Sequence, residues 1–218
     1  MRRSFFFSLS LLFLLHVNAQ NKFGVKSGIS FSDRNGTNSN STDLITIQVA
    51  AFGMMPLSKV VTMQPSFGYA PKGNKFRNLM FVDQTGGNNG YGDVNTRVDN
   101  IELAIPFQYL VTSSKENKLL LGLGGFFSYA VGGMIQWKNV SGPGSDNPPP
   151  KTKINFDGSG LKRFDAGVNI LISFQLKNRW VLSFNFDRGL VNNNQGPYAQ
   201  QTKLYSRSEG ITAGYLFK

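Results

Sequence analysis

The strongest structural signal in the chain is KRFDAGVNILISFQ, from Lys162 to Gln175. From Phe164 to Phe174 every second residue is apolar, and most of the residues between them are small or polar. A period of two over a dozen residues indicates a strand with one apolar face. The pattern returns in Trp180 to Asp187 after the short polar link Lys177 to Arg179. Two such runs, joined in this way, predict a β-hairpin.

Similar alternation predicts eight strands: Lys22 to Ser32, Leu44 to Met54, Val60 to Ala70, Val98 to Leu110, Leu119 to Trp137, Lys162 to Gln175, Trp180 to Asp187, and a last strand that contains Ile211 to Phe217. Short connections alternate with long polar ones, and the long ones are Asp33 to Asp43, Pro71 to Arg97, Lys138 to Gly160 and about Val191 to Thr202. This organisation is typical of an all-β, eight-stranded antiparallel up-and-down transmembrane β-barrel. We expect the short turns and both chain ends on the periplasmic side.

The N-terminus has the pattern of an export signal. Arg2 and Arg3 precede the apolar run Phe5 to Leu15, and Val17-Asn18-Ala19 resembles a cleavage site. The run is far shorter than the roughly 20 residues that a membrane-spanning helix needs. We therefore expect residues 1–19 to be a cleaved signal peptide and residues 20–218 to form the barrel domain.

The composition excludes several kinds of chemistry. The sequence has no cysteine, and its one histidine, His16, lies in the signal segment. The mature chain therefore lacks the residues for a Ser-His-Asp or Cys-His pair and for a zinc site with imidazole or thiolate ligands. We expect no catalytic residues, no metal site and no cofactor.

The net charge of +11 raises the question of an anionic partner. Its basic residues are scattered and form no Lys/Arg-rich run, so we expect no nucleic-acid binding. For an exported barrel the expected anionic neighbours are outer-membrane lipids and lipopolysaccharide. A protein partner would bind through the outer loops.

A secreted soluble barrel of the lipocalin type is an alternative, because it also has eight antiparallel strands. Such a barrel needs a polar outside and an apolar inside. Small residues such as Gly24, Gly28, Gly68 and Gly167 share the face opposite the apolar one, and they suit the narrow interior of a membrane barrel better.

Two groups of side chains are candidates for special roles. The first group consists of charged residues whose place in the two-residue alternation puts them on the inward face. Its carboxylates are Glu102, Asp165 and Asp187, and Lys26 and Arg163 could neutralise them in an ionic network within the lumen. The second group is a candidate aromatic girdle at the periplasmic interface, and its members are Phe23, Tyr109, Phe174, Trp180, Tyr215 and Phe217.

The sequence resembles the small outer-membrane β-barrels common in Bacteroidetes, often labelled porin-like or PorT-like. The resemblance spans nearly all of the mature chain and rests on FGVKSGISFS at Phe23 to Ser32, IELAIPFQYL at Ile101 to Leu110, FDAGVNILISF at Phe164 to Phe174 and GITAGYLFK at Gly210 to Lys218. The chain departs from the family pattern by ending in Lys218 instead of an aromatic residue. The resemblance implies the barrel fold and a bacterial outer-membrane location, and it supplies no catalytic residues.

The sequence predicts a non-enzymatic integral outer-membrane protein whose outer loops form the interaction surface. A barrel that transports small solutes or assists export is the first alternative, although eight strands leave little room for a channel. The lipocalin-like binding barrel is the second.

Overall fold

In a computed structural model the described residues are 21–36, 41–82, 89–156, 160–177, 179–195 and 203–217. The predicted signal peptide lies outside them. The strands are β1 (Lys22–Gly36), β2 (Ser41–Pro56), β3 (Val61–Met63), β4 (Ser66–Tyr69), β5 (Lys72–Val82), β6 (Asn89–Ser113), β7 (Lys118–Ser141), β8 (Thr152–Lys153), β9 (Phe164–Leu176), β10 (Trp180–Gly189) and β11 (Leu204–Leu216). No helix in these ranges is long and apolar enough to cross a membrane.

The strands close into one antiparallel ring. β1 pairs with β2 on one side and with β11 on the other, and the path continues from β11 through β10, β9 and β7 to β6. β3, β4 and β5 follow one another between β2 and β6, so together they fill one position of the ring. The ring therefore has eight positions, and the predicted eight-stranded antiparallel barrel is confirmed.

The third position is not the single strand predicted from Val60 to Ala70. It is interrupted between β3 and β4 at Gln64 and Pro65. Proline has no N–H group and cannot donate to a strand ladder, which accounts for the break. The Pro65 carbonyl still accepts a hydrogen bond of 2.9 Å from the Gly53 amide, so the ring stays closed there.

The strands are strongly inclined. Following the pairing register around the ring from Gly24 leads back to β1 at Arg34, ten residues further along. With ordinary strand spacings, a stagger of ten residues over eight strands gives a tilt of about 40°. This value is in the range of small transmembrane barrels.

The two faces of the ring differ as the alternation predicts. Large apolar side chains point outward and are exposed, for example Ile47 and Leu123 at 65% and 61%. Small and polar side chains point inward, and Ser173 and Gln108 are fully buried. A soluble barrel has the opposite arrangement, so the lipocalin-like alternative is wrong.

The outer end, where the long connections lie, is more ordered than the sequence suggested. The segment Pro71 to Arg97, predicted as a loop, contains β5 and the first nine residues of β6, and these pair with each other. β7 continues to Ser141 beside β6. Their outward residues here include the polar Arg97, Asn95 and Asp93 as well as the apolar Met80 and Tyr91, so the sequence has no regular period-two apolar signal. We call β5, residues 89–97 of β6 and residues 134–141 of β7 the outer extension.

Candidate functional site

The lumen is closed at its inner end by an apolar layer. Phe52, Leu120, Val181 and Leu216 are 1–3% exposed and pack together with Met54. Polar side chains lie directly above this layer. The Gln108 amide donates to the Ser173 hydroxyl at 2.8 Å, and the Ser173 and Ser183 hydroxyls are 3.2 Å apart. Side chains therefore fill the inner third of the barrel.

A small polar cavity occupies the middle of the lumen. Its volume is about 30 Å³, and its wall includes Lys26, Gln48, Glu102, Asn169 and Asp187. Such a cavity holds roughly one or two water molecules. It does not provide a continuous aqueous path through the described part of the barrel.

The principal ion pair of the lumen joins Lys72 of β5 to Glu102 of β6. Their side-chain atoms Nζ and Oε2 are 2.6 Å apart, and the two side chains are 3% and 12% exposed. The Lys72 ammonium also lies 3.8 Å from the centre of the Phe126 ring, within reach of a cation–π interaction. Lys72 interacts electrostatically with Asp187 and Asp165 as well. Lys72 thus pairs directly with Glu102, and its charge also acts on Asp187 and Asp165.

Asp187 and Asp165 are held mainly by neutral donors. Asp187 accepts hydrogen bonds from Asn169 at 2.5 Å, from Ser208 at 3.1 Å and from Asn185 at 3.3 Å. Asp165 accepts one from the Ser206 hydroxyl. Buried charges are retained in proteins when they are paired and hydrogen-bonded in this way.

The lumen contains three further cations, of which Lys26 and Arg163 were predicted and Arg34 was not. Lys26 faces the cavity and interacts electrostatically with Asp187 and Glu102. Arg34, 7% exposed, interacts with Asp165. Arg163 is not drawn to the carboxylates: its guanidinium donates to the Ala130 carbonyl at 3.2 Å and lies 4.5 Å from the Phe156 ring centre. Arg163 was expected to neutralise the inward carboxylates. It does not, because it precedes β9 and lies against Phe156 at the outer mouth of the barrel.

The outer mouth is closed by a second apolar layer, which we call the outer cap. The long connection after β7 turns back into the barrel, where Ile154 and Phe156 pack on Val98 and Ala130. The Ile154 amide donates to the Gly133 carbonyl at 3.1 Å. The Gln195 side chain donates to the Phe156 and Leu161 carbonyls at 2.7 and 2.8 Å. Two outer connections thus hold the cap in place.

Lys72, Arg34 and the outer cap were not predicted from the sequence. All lie wholly or partly in segments that were predicted to be loops. A side chain can be assigned to the inward or outward face only if its segment is recognised as a strand. The KGNK motif at Lys72 to Lys75 does contain the useful signal, since Lys72 follows the alternation of β4 past Pro71.

The outer extension has its own ion pair. Asp93 of β6 accepts from Lys75 at 2.9 Å, from Asn139 at 2.8 Å and from the Asn78 amide at 3.2 Å. The hydrogen bonds from Lys75 and Asn139 lower the pKa of Asp93 to about 2. The carboxylate therefore stays charged well below neutral pH and joins β5, β6 and β7 above the apolar band.

The predicted girdle residues lie together at the inner end. Phe23, Tyr109, Phe174, Trp180 and Phe217 are 42–58% exposed there, while Tyr215 is half-buried between its neighbours. The Tyr215 ring centre is 5.1 Å from that of Trp180 and 6.1 Å from that of Phe217, and Arg179 donates to its hydroxyl at 3.1 Å. Among the described residues no group of three or more Asp, Glu, His or Cys could hold a metal ion.

The sequence matches the family model described as outer membrane protein beta-barrel domain, over residues 6–195. The chain belongs to this family. Its members are outer-membrane barrels, so the outward apolar band of this outer membrane β-barrel protein faces lipid in a bacterial outer membrane. No curated protein matches the chain.

The outer membrane β-barrel protein is also similar to solved structures. Ail, the attachment invasion locus protein of Yersinia pestis, has 9% identity and a TM-score of 0.43, with 90% of this chain and 99% of Ail covered. Neisserial surface protein A has 8% identity and a TM-score of 0.46, with coverage of 89% and 97%. OprG from Pseudomonas aeruginosa has 11% identity and a TM-score of 0.44, with coverage of 90% and 96%.

Proposed function

We propose that this outer-membrane barrel is non-enzymatic and acts through its outer surface, with no solute pathway through its lumen. The observation that carries the proposal is the filled lumen. The apolar inner layer, the cavity of about 30 Å³ and the outer cap follow one another along the barrel axis. The outer extension and the connections that carry the cap are then the parts available for interaction at the cell surface.

The exposed residues of the outer extension support an interaction role. Met80, Val82 and Tyr91 are 45–61% exposed although they lie beyond the apolar band. Met80 and Tyr91 are directly paired and Val82 is two residues from Met80, so they form one patch, and contiguous exposed apolar patches commonly mark binding sites. We propose that a protein partner contacts this part of the molecule and that outer-membrane lipid and lipopolysaccharide surround its base.

The proposal includes a topology. The mature chain begins at Gln20 after cleavage of residues 1–19, both chain ends lie in the periplasm, and the aromatic girdle marks the inner interface. The protein is of the Bacteroidetes, PorT-like kind. Its alternating short and long connections support this orientation.

Conductance recording tests the closed lumen. We expect the refolded, bilayer-inserted protein to show no steady conductance, with insertion checked independently by protease protection. A large and steady single-channel current from the inserted protein would overturn the proposal and would favour the transport alternative.

Cysteine labelling tests the orientation on intact cells. Because the chain has no cysteine, single substitutions give unambiguous sites. Met80→Cys in the outer extension should react with a membrane-impermeant maleimide, and Ser114→Cys in a short turn should react only after the cells are broken. The reverse pattern would contradict the topology.

A further inference from the structure

A hollow on the outside of the barrel lies where the outer extension meets the apolar band. Its volume is about 210 Å³. Leu44 and Met134 form its apolar part, Asn95 and Arg97 of β6 form its centre, and Lys138 and Lys151 form its outer rim. The proposed ionic network and the outer cap do not use this hollow.

The hollow exists because Leu44 crosses over β5. β5 lies between β2 and β6, so residues of β2 would ordinarily be separated from those of β6 by one strand. At Gly73 there is no side chain to prevent the crossing: a Cβ there would lie 2.8 Å from Leu44 Cδ2 and 2.0 Å from the Thr96 carbonyl oxygen. Only glycine fits this close approach. Leu44 can therefore share one hollow with Asn95 and Arg97.

The hollow is placed at the outer boundary of the lipid. Ile45, next to Leu44 on its inner side, is 65% exposed and begins the apolar band of β2. On β6, Asp99 marks the change from apolar to polar outward residues, and it binds the Tyr69 hydroxyl at 2.5 Å. The apolar part of the hollow thus points toward lipid chains, and its cationic rim points toward the outside.

Its charges are suited to an anion. Lys138 and Lys151 are exposed, and Arg97 remains half exposed although its Nε atom is 3.0 Å from Asp99. Asp93, which lies opposite Lys138 in the ladder, is already occupied by Lys75 and Asn139. Lys153 adds a further exposed cation beside Met134. In addition, the Asn95 side-chain oxygen is buried and has no hydrogen-bond partner among the described residues.

We propose that this hollow binds the phosphorylated sugar headgroup of an outer-leaflet glycolipid. The phosphate contacts Arg97, Lys138 and Lys151, a sugar hydroxyl or amide donates to the Asn95 oxygen, and the first part of an acyl chain lies on Leu44 and Met134. A ligand with a phosphate at one end and hydrocarbon at the other matches this order of residues. The inference rests on the proposed outward orientation of the extension and goes beyond it by naming a ligand class and a site.

Native mass spectrometry of the whole folded protein in detergent micelles tests the site, with diphosphoryl lipid A as the probe. We compare the parent with Lys138→Gln/Lys151→Gln, which keeps Arg97 and its pair with Asp99 intact. Loss of two interfacial cations should weaken binding roughly tenfold or more. The matched control is Lys115→Gln/Lys118→Gln, which removes two exposed cations from the inner end and should bind like the parent.

Two further probes define the ligand. Dephosphorylated lipid A should bind as weakly to the parent as lipid A does to the double variant, and phosphatidylglycerol should bind much more weakly than lipid A. Equal binding by parent and double variant, or no effect of removing the phosphates, would overturn the proposal. Equal binding of phosphatidylglycerol would also overturn it, since it would indicate a non-selective anionic-lipid surface. A conducting parent would refute the proposed function and leave this result standing.

Discussion

At the level of single residues, side-chain parity determines where a charge can be placed. Glu102, Asp165 and Asp187 could be assigned to the interior from the sequence because each lies in a strand with regular alternation. Their main cation, Lys72, could not, because it lies beyond a proline in a segment without apolar periodicity. The sequence therefore predicts the inward carboxylates, while the structure is needed to identify what neutralises them.

The Lys72–Glu102 pair gives the first prediction. Lys72→Met leaves a carboxylate buried without its partner, and we expect the free energy of unfolding to fall by about 3–5 kcal/mol. Lys72→Met/Glu102→Gln should recover much of that loss, because no unpaired charge remains. Arg163→Met, which affects a contact with Phe156 instead, serves as the control. Urea titration of the refolded protein measures all three, and a double variant no more stable than Lys72→Met would contradict the pairing.

Depth in the bilayer gives the second prediction. Ile170 is 45% exposed near the middle of the apolar band, so Ile170→Arg should destabilise the inserted barrel by about 2–4 kcal/mol. Leu190 is more exposed, at 66%, but follows Arg188 at the outer edge of the band. Leu190→Arg should therefore cost roughly 0–1 kcal/mol. Equal costs in a folding titration in lipid vesicles would show that the assigned depths are wrong.

At the level of elements, the length of a strand is not set by the thickness of the membrane. β6 has 25 residues and β7 has 24, whereas β10 has 10. Apart from the break between β3 and β4, the sequence predicted the membrane-crossing parts of the strands, because lipid imposes alternation there. It could not predict the outer extension, where polar and apolar residues are mixed and backbone pairing continues without a regular apolar pattern.

Asp93 gives a prediction for the extension. Asp93→Asn removes the charge that joins Lys75 to Asn139, so backbone amides of residues 72–82 and 89–97 should exchange with solvent faster. Asp146→Asn, in an exposed turn, is the control. The folded-state pKa is lowered to about 2, so the stabilisation is fully present above about pH 4 and is lost as the pH falls toward 2. Unchanged exchange in Asp93→Asn would contradict this role.

At the level of the whole molecule, the lumen is closed twice, by the outer cap and by the layers beneath it. Filling of the lumen by inward side chains could be predicted from the sequence, since a ring of eight strands has little interior space. The outer cap could not be predicted, because it depends on Ile154 and Phe156, which lie in a connection whose sequence has no regular apolar pattern. The sequence around them, KTKINF from Lys151 to Phe156, is mostly polar and gives no sign that this segment turns back into the barrel.

The two closures should be separable by experiment. Ile154→Ser/Phe156→Ser should loosen the outer cap without producing steady conductance, because the inner apolar layer remains. Loosening can be detected with Ala130→Cys, whose side chain is 1% exposed in the parent fold and should react with a maleimide only when the cap is altered. Conductance from the cap variant would mean that the inner layers do not close the lumen.

The length of the outer extension has a practical consequence for surface display. Its strands continue for about nine residues above the boundary at Asp99, which corresponds to a rise of roughly 20 Å at the observed inclination. A foreign peptide inserted between β5 and β6 would therefore be carried clear of the lipid headgroups. It would also be held by a paired, salt-bridged stem instead of a free tether, which makes this connection a promising site for presenting an epitope on living cells.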